Sequence, residues 1–179
     1  MHLTALNAGK EFVKKYVKKG MKVLDVGGLN VNGSLREIFE DLGCHFICLD
    51  MQAHPSVDVV SPPQEPFPFN DGEFDIVVST SCFEHDPLFW MTFREMARVV
   101  KLNGLIYINA PSAGYYHGYP GDCWRFYKDA GKALAFWSGY KINDLSYPVE
   151  LVSQHFEEGT WKDNVCIWKR TIQAPLTFV

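Results

Sequence analysis

Five cysteines, Cys44, Cys48, Cys82, Cys123 and Cys166, are scattered along 179 residues, and no two of them stand at C-x-x-C spacing. An odd, unpaired set argues against a disulfide framework and a structural zinc site, and it suits a reducing cytosol. The chain also lacks a positive surplus, since 17 Lys and Arg face 21 Asp and Glu for a formal charge of -4. No broad basic field is there to draw in nucleic acid or an anionic membrane. Lysines crowd only the N-terminal segment (Lys10, Lys14, Lys15, Lys18, Lys19, Lys22), where Phe12, Val13, Tyr16 and Val17 recur at helical spacing. They read as the wet face of an amphipathic helix. No apolar run approaches the ~18 residues that cross a bilayer, and the N-terminus has no signal-peptide pattern. The expectation is a soluble cytoplasmic protein without nucleic-acid partners or membrane insertion.

What is present is apolar and ordered. With 47% hydrophobic and 15% aromatic residues, the chain has material for one well-buried core and too little length for two ordinary domains. A single domain over 1–179 is expected. Helical spacing predicts a first helix over about 5–19, ended by Gly20, and Lys22–Val26 then reads as a short buried strand. Ser34-Leu-Arg-Glu37 has capping-box spacing, so a second helix is expected from Ser34 to Leu42 with Gly43 as its stop. His45–Asp50, Val57–Val60 and Phe74–Thr80 read as further strands, the last rich in Val and Ile as a strand buried on both faces should be. Pro87–Val100 reads as a helix, and Leu105–Ala110 as a strand after an Asn103-Gly104 turn. A helix near Lys128–Trp137 and two late strands, near Ile142–Tyr147 and Asn164–Lys169, are expected to finish the fold, the two strands pairing antiparallel at the sheet edge. The tail Thr171–Val179 carries no readable pattern.

Alternation of strands and helices implies a parallel sheet that binds its ligand at the carboxyl ends of the strands. The first turn, Asp25-Val-Gly-Gly-Leu-Asn-Val-Asn-Gly-Ser34, lacks the dinucleotide fingerprint G-x-G-x-x-G: counted from Gly27, Leu29 and Asn32 stand where the second and third glycines belong. What remains is Asp25-x-Gly27 at the end of one strand and Asp50 closing the next. Together with Phe74-Asp-Ile-Val-Val-Ser-Thr-Ser-Cys-Phe-Glu-His85 and Val99-Val-Lys-Leu-Asn-Gly-Leu-Ile-Tyr-Ile-Asn109, this resembles the class I S-adenosylmethionine (SAM)-dependent methyltransferases over roughly residues 22–111. The segment His117-Gly-Tyr-Pro-Gly-Asp-Cys-Trp-Arg-Phe-Tyr127 resembles a motif of small methyltransferase-11-type enzymes of glycan and polar-metabolite modification. The first motif departs from their usual pattern, because Leu29 and Val31 replace the later glycines.

The resemblance implies a Rossmann-like seven-stranded, mostly parallel sheet with an antiparallel edge strand and helices on both faces. It implies SAM as cofactor, with S-adenosylhomocysteine as product, and a cofactor site drawn from Asp25, Gly27, Gly28, Asn30, Gly33, Ser34, Asp50, Met51 and Ser79. Within it, Asp25 suits the ammonium group of the methionine portion, Asp50 the ribose hydroxyls, and glycines at 27 and 28 a close backbone approach. The plainer alternatives are a turn cap for Asp25 and an ordinary tight turn for Gly27-Gly28. Ser61 and the Pro62–Glu65 loop lie where adenine contacts are expected, but no residue stands out there.

An oxygen acceptor must lose its proton as it is methylated, which calls for a base within hydrogen-bond reach. His85 and Asp86 after the fourth strand, and His117 and Asp122 in the aromatic stretch 111–127, are in the right neighbourhood, and His85, His117 and Asp122 are taken as the catalytic set. Each has a plainer alternative: His85 orients its loop, Asp86 caps the next helix, His117 is a turn histidine, and Asp122 pairs with Arg125. Tyr116, Tyr119, Trp124 and Arg125 are read as sugar-binding groups, stacking on a ring face and holding hydroxyls or an anion. Trp124 and Phe126 also suit anchors of the loop to the core. No metal is expected, because no spaced ligand signature is present.

At this length the N-terminal helix (1–20) and the aromatic loop are expected to form the lid over a small-molecule or glycan acceptor. Fusion to, or association with, glycan-assembly enzymes fits the same reading. The expected activity is O-methylation of a sugar hydroxyl. N- or carboxyl-methylation of a small metabolite and a non-catalytic SAM-binding subunit stand as rivals.

Overall fold

A computed structural model describes residues 2–63 and 65–173. Met1, Gln64 and residues 174–179 lie outside the described residues. Among the described residues the chain order is α1 (Leu3–Tyr16), β1 (Lys22–Val26), α2 (Arg36–Asp41), β2 (His45–Asp50), β3 (Val59–Val60), β4 (Phe74–Thr80), α3 (Phe89–Val99), β5 (Val100–Ala110), α4 (Ala130–Ser138), β6 (Val149–Phe156) and β7 (Asn164–Arg170). One sheet runs β3-β2-β1-β4-β5-β7-β6. Its first five strands pair parallel, and β7 enters antiparallel to both β5 and β6.

Successive side chains of a strand point to opposite faces, and this alternation builds two cores. On one face Leu24, Val77, Ile106 and Trp168 pack against Phe93 and Met96 of α3 and Leu134 of α4. On the other, Val23, Ile76, Val78, Tyr107 and Ile167 meet Phe12 and Val13 of α1 and Phe39 of α2. Each fully buried aromatic or aliphatic side chain contributes about 1.5–3 kcal/mol, so both helix layers are held chiefly by burial.

The expected β1, β2 and β4 have the observed bounds, whereas several other elements differ for local reasons. The helix expected from Ser34 begins at Arg36: the Ser34 hydroxyl accepts the Arg36 N–H at 3.1 Å, and no capping box closes. The Asn103-Gly104 turn sits inside β5 as an irregularity, Asn103 having φ +67° and the β4 register jumping between Phe74 and Ile76. The late strand expected at 142–147 is instead a tight turn, with a single bridge from Ile142 to Leu145 around Asn143 and Asp144 at positive φ. The true edge strand, β6, follows Pro148 and is half exposed, so it lacks the continuous apolar run of an inner strand. The N-terminal helix is not a lid. Ala5, Ala8, Gly9, Phe12 and Val13 of α1 are buried in the second core, and only His2, just before it, reaches the cleft described next. No helix among the described residues is long and apolar enough to cross a membrane.

Candidate active site

The sheet order reverses between β1 and β4, and a cleft of about 860 Å³ opens there beyond the carboxyl ends of the strands. That is the crevice in which open parallel sheets take ligands, and its volume suits a nucleoside together with a small second molecule.

Over β1 and β2 the cleft is acidic. Asp25 is only 3% exposed, and its Oδ1 has no hydrogen-bond partner. Burial pushes its carboxyl up to about 7, with Arg36 pulling the other way and Asp50 adding to the rise. A buried carboxylate with an idle oxygen suits a ligand ammonium, which would offset its desolvation. Above it the Gly27 and Gly28 amides both donate to the Leu49 carbonyl, at 2.9 and 3.3 Å, tying the turn to the end of β2. The two glycines are required by protein atoms: a Cβ on Gly28 would stand 2.6 Å from Asp25 Oδ2, and one on Gly27 2.1 Å from Cys82 Sγ.

Asp50 closes β2 half-buried, its Oδ2 accepting the Leu29 N–H at 3.1 Å and its Oδ1 the Gln52 N–H at 3.0 Å. Each oxygen keeps a lone pair for a ribose hydroxyl. Asp50→Ala is expected to weaken SAM or S-adenosylhomocysteine binding about 10- to 100-fold, the equivalent of ~1.5–3 kcal/mol. Calorimetry that finds unchanged affinity removes Asp50 from the site.

Over β4 and β5 the groups are of another kind. A turn in which the His85 N–H donates to the Cys82 carbonyl at 2.9 Å tucks Glu84 inward, to 1% exposure, and leaves His85 half-buried in the cleft wall. The His85 ring nitrogen Nδ1 lies 2.6 Å from the Gly121 carbonyl, which only accepts, so Nδ1 carries the hydrogen and Nε2 the lone pair. Burial holds the His85 imidazole below its ordinary value, hence neutral at pH 7, and burial pushes Glu84 up to about 7.

His117 comes from the loop after β5. Its ring packs on Trp161 at 4.4 Å between centroids and lies edge-on to His85 at 4.9 Å. Asp122 stands behind it, accepting the His117 N–H at 2.8 Å and lying 3.2 Å from Nδ1. Bidentate contact with Arg125, at 2.5 and 2.7 Å, holds the Asp122 carboxyl well below the usual carboxylate range.

Of the expected cofactor residues, Asp25, Gly27, Gly28, Gly33, Ser34, Asp50 and Met51 line the cleft. Asn30 does not: its side-chain oxygen accepts the Gly33 N–H at 2.9 Å and shapes the loop from outside. Ser79 is buried, its hydroxyl donating to the Val26 carbonyl at 2.8 Å, and Thr80 and Ser81 face the cleft in its place. Of the expected catalytic set, His85 and His117 line the cleft, whereas Asp122 supports His117 from behind. Of the expected sugar-binding set only Tyr119 lines it. Tyr116 is largely exposed away from it, and Trp124 packs on Phe89 and donates its Nε1–H to the Asp86 carbonyl at 3.0 Å. Arg125 holds Asp122 and the Tyr115 carbonyl. Asp86 lines the cleft and accepts the Leu88 N–H at 2.8 Å in the turn before α3; the N-cap of that helix is Leu88, without a side-chain cap. Sequence reasoning missed Glu84 and Trp161; a lone tryptophan in the polar stretch between β6 and β7 was the one available signal for the second.

The match to known proteins covers this same edge of the sheet. Residues 24–108 match the family model described as a methyltransferase domain. No curated protein matches the chain in sequence. Among solved structures, the 1,6-didemethyltoxoflavin-N1-methyltransferase of Burkholderia thailandensis, with 1,6-didemethyltoxoflavin and S-adenosylhomocysteine bound, is similar at TM-score 0.72 and 13% identity, over 93% of this chain and 78% of that one. A SAM-dependent methyltransferase from Aquifex aeolicus is similar at TM-score 0.61 and 15% identity, over 92% and 89%. The cyclase SpnF is similar too, at TM-score 0.70 and 10% identity over 93% and 81%, so likeness at this level speaks for the fold and not for the reaction. Residues 24–108 thus match a methyltransferase domain, and the sheet order and cleft are those of the fold these solved structures share.

Proposed function

We propose that the domain methylates a hydroxyl of a small polar acceptor, a sugar hydroxyl being the preferred reading. The observation that carries this is the pair of histidines, His85 and His117, set in the same cleft as the acidic cofactor edge. Both present Nε2 toward Glu84, at 3.7 and 3.9 Å from its Oε1, beyond hydrogen-bond reach and so available to another group. A carboxylate acceptor is already ionised and needs no base, whereas an alcohol must lose its proton as it is methylated.

Bound SAM supplies an electrophilic methyl on sulfur. Asp25 holds its ammonium, Asp50 its ribose and the Gly27-Gly28 turn its backbone side, which fixes the methyl relative to β4. The acceptor oxygen bonds to the methyl carbon as the carbon–sulfur bond breaks with its electron pair leaving on sulfur, and the hydroxyl proton passes to Nε2 of a histidine. His85 is the better base, because its Nδ1–H is fixed on Gly121 and burial keeps it neutral. Tyr119, half exposed at the rim, supplies an aromatic face for a sugar ring.

The test is transfer of labelled methyl from SAM to a panel of sugar glycosides, with amines and carboxylates in parallel. Label is expected as a sugar methyl ether, and His85→Ala is expected to lower its rate about 10²- to 10⁴-fold with S-adenosylhomocysteine affinity retained. Label on amines alone, at a rate indifferent to His85, overturns the reading. Tight SAM binding with no transfer to any class of acceptor favours a binding subunit instead.

A further inference from the structure

We propose that Glu84, His85 and His117 together hold one divalent first-row transition-metal ion, of the zinc or iron(II) type, on the β4–β5 side of the cleft. One ligating atom from each residue converges with the others within 4.8 Å. Glu84 Oε1 stands 3.7 Å from His85 Nε2 and 3.9 Å from His117 Nε2. Ligand atoms arranged tetrahedrally about zinc at its usual bond lengths are about 3.3 Å apart, so the carboxylate–imidazole pairs need roughly half an ångström of closure and the third pair, within 4.8 Å, at most about 1.5 Å, a side-chain adjustment.

The surroundings are those of a ligand set. A metal-binding imidazole generally donates its remote N–H to a carbonyl or carboxylate, which fixes the tautomer and raises the basicity of the ligating nitrogen. His85 has the Gly121 carbonyl at 2.6 Å in that position. His117 Nδ1 lies 3.2 Å from the Asp122 carboxylate, which Arg125 locks in place, but makes no hydrogen bond to it. Glu84 adds an independent observation: it is 1% exposed, and its Oε2 has no hydrogen-bond partner. A buried carboxyl with an idle oxygen is costly as a carboxylate unless a proton or a cation answers it, and the His85 ring turns its Nε2 lone pair, not positive charge, toward it.

Two imidazoles and one carboxylate favour zinc, iron or manganese over magnesium or calcium. Three protein ligands also leave coordination positions open toward the cleft. With the ion bound, His85 Nε2 is a ligand and no longer the base; an acceptor hydroxyl on the ion would instead lose its proton to a cleft water, more readily than when free, as metal-bound water does. That role rests on the hydroxyl reading above; the binding of the ion does not.

The test is calorimetric titration of chelator-treated protein with zinc chloride, and with cobalt(II) chloride followed by its visible absorption, each beside a titration with S-adenosylhomocysteine. Zinc is expected to bind one to one, and cobalt to give the ligand-field bands of a low-symmetry nitrogen and oxygen site. His117→Ala and Glu84→Gln are each expected to weaken both ions at least 10-fold while S-adenosylhomocysteine binds as before, which also reports that the variants fold. Exposed Cys123 in the same loop is a competing soft ligand, so Cys123→Ser must leave the ion in place. Absence of one-to-one binding, loss in Cys123→Ser, or affinity indifferent to His117 and Glu84 each overturns the proposal. Methyl transfer is scored separately, so an ion that binds without any O-methylation leaves this site standing and removes only the hydroxyl reading.

Discussion

Asp25→Asn is expected to weaken SAM and S-adenosylhomocysteine by about 100-fold or more while making the cofactor-free protein more stable at neutral pH. The loss follows from removing the charge opposite the ligand ammonium in a site closed to water, where such pairs are strong. The gain follows from burial: the Asp25 carboxyl titrates near 7 in the fold, against about 3.9 in an unfolded chain. Because the folded form holds its proton more tightly, stability is unaffected below about pH 4, falls as the pH rises from there to about 7, and stays at the lower level above that. A gap of about three units corresponds to a penalty on the order of 4 kcal/mol at neutral pH, which the uncharged amide escapes. Affinity has the opposite slope, since the ligand cation needs the ionised carboxyl: binding is expected to strengthen from pH 5.5 to 7.5 in the parent protein and to stay flat over that range in Asp25→Asn. Calorimetry across that range, with urea unfolding at pH 5 and 8, checks both halves. A pH slope that survives in the variant would sink the assignment.

Gly27→Ala is expected to cost roughly 2–5 kcal/mol of stability and to abolish cofactor binding. Two effects add. Gly27 has φ +68°, where a Cβ costs about 1–2 kcal/mol, and that Cβ would lie 2.1 Å from Cys82 Sγ and 2.8 Å from Cys82 Cβ. Overpacking of this kind typically costs another 1–3 kcal/mol and moves backbone, and the backbone in question is the turn that carries the site. Adding Cys82→Gly removes the obstacle but not the dihedral cost, so the double variant is expected to regain more than half of the lost stability. A double-mutant cycle by urea denaturation separates the terms; no recovery would mean that the dihedral, and not Cys82, is what demands glycine here.

The cofactor half of the cleft was largely legible in the chain because it is built from neighbours. Asp25, the glycine turn, the start of α2 and Asp50 fall within about 25 consecutive residues, and β1 and β2 announce themselves as short apolar runs bounded by turns. Even there, packing supplied the reasons: Gly28 is required by the Asp25 carboxylate beneath it, and Asn30 and Ser79 serve the backbone, not the cleft. Edge strands were harder. β6 carries polar residues on its open face and so lacks the pattern of an inner strand, while a more apolar stretch just before it folds as a turn.

By itself the sequence determined the strand–turn–strand edge, the parallel sheet that follows from it and the class of ligand that an acid at each strand end can hold. Tertiary structure alone decided the acceptor side, where Glu84 and His85 after β4 meet His117 after β5 and Trp161 between β6 and β7. It also turned α1 into core rather than lid, and set Asp122, Trp124 and Arg125 to supporting the loop. The physical reason is range: hydrophobic period, caps and turns act over a few residues and leave their mark in spacing, whereas side chains brought together by the pairing of β4, β5 and β7 share no local pattern that spacing can record.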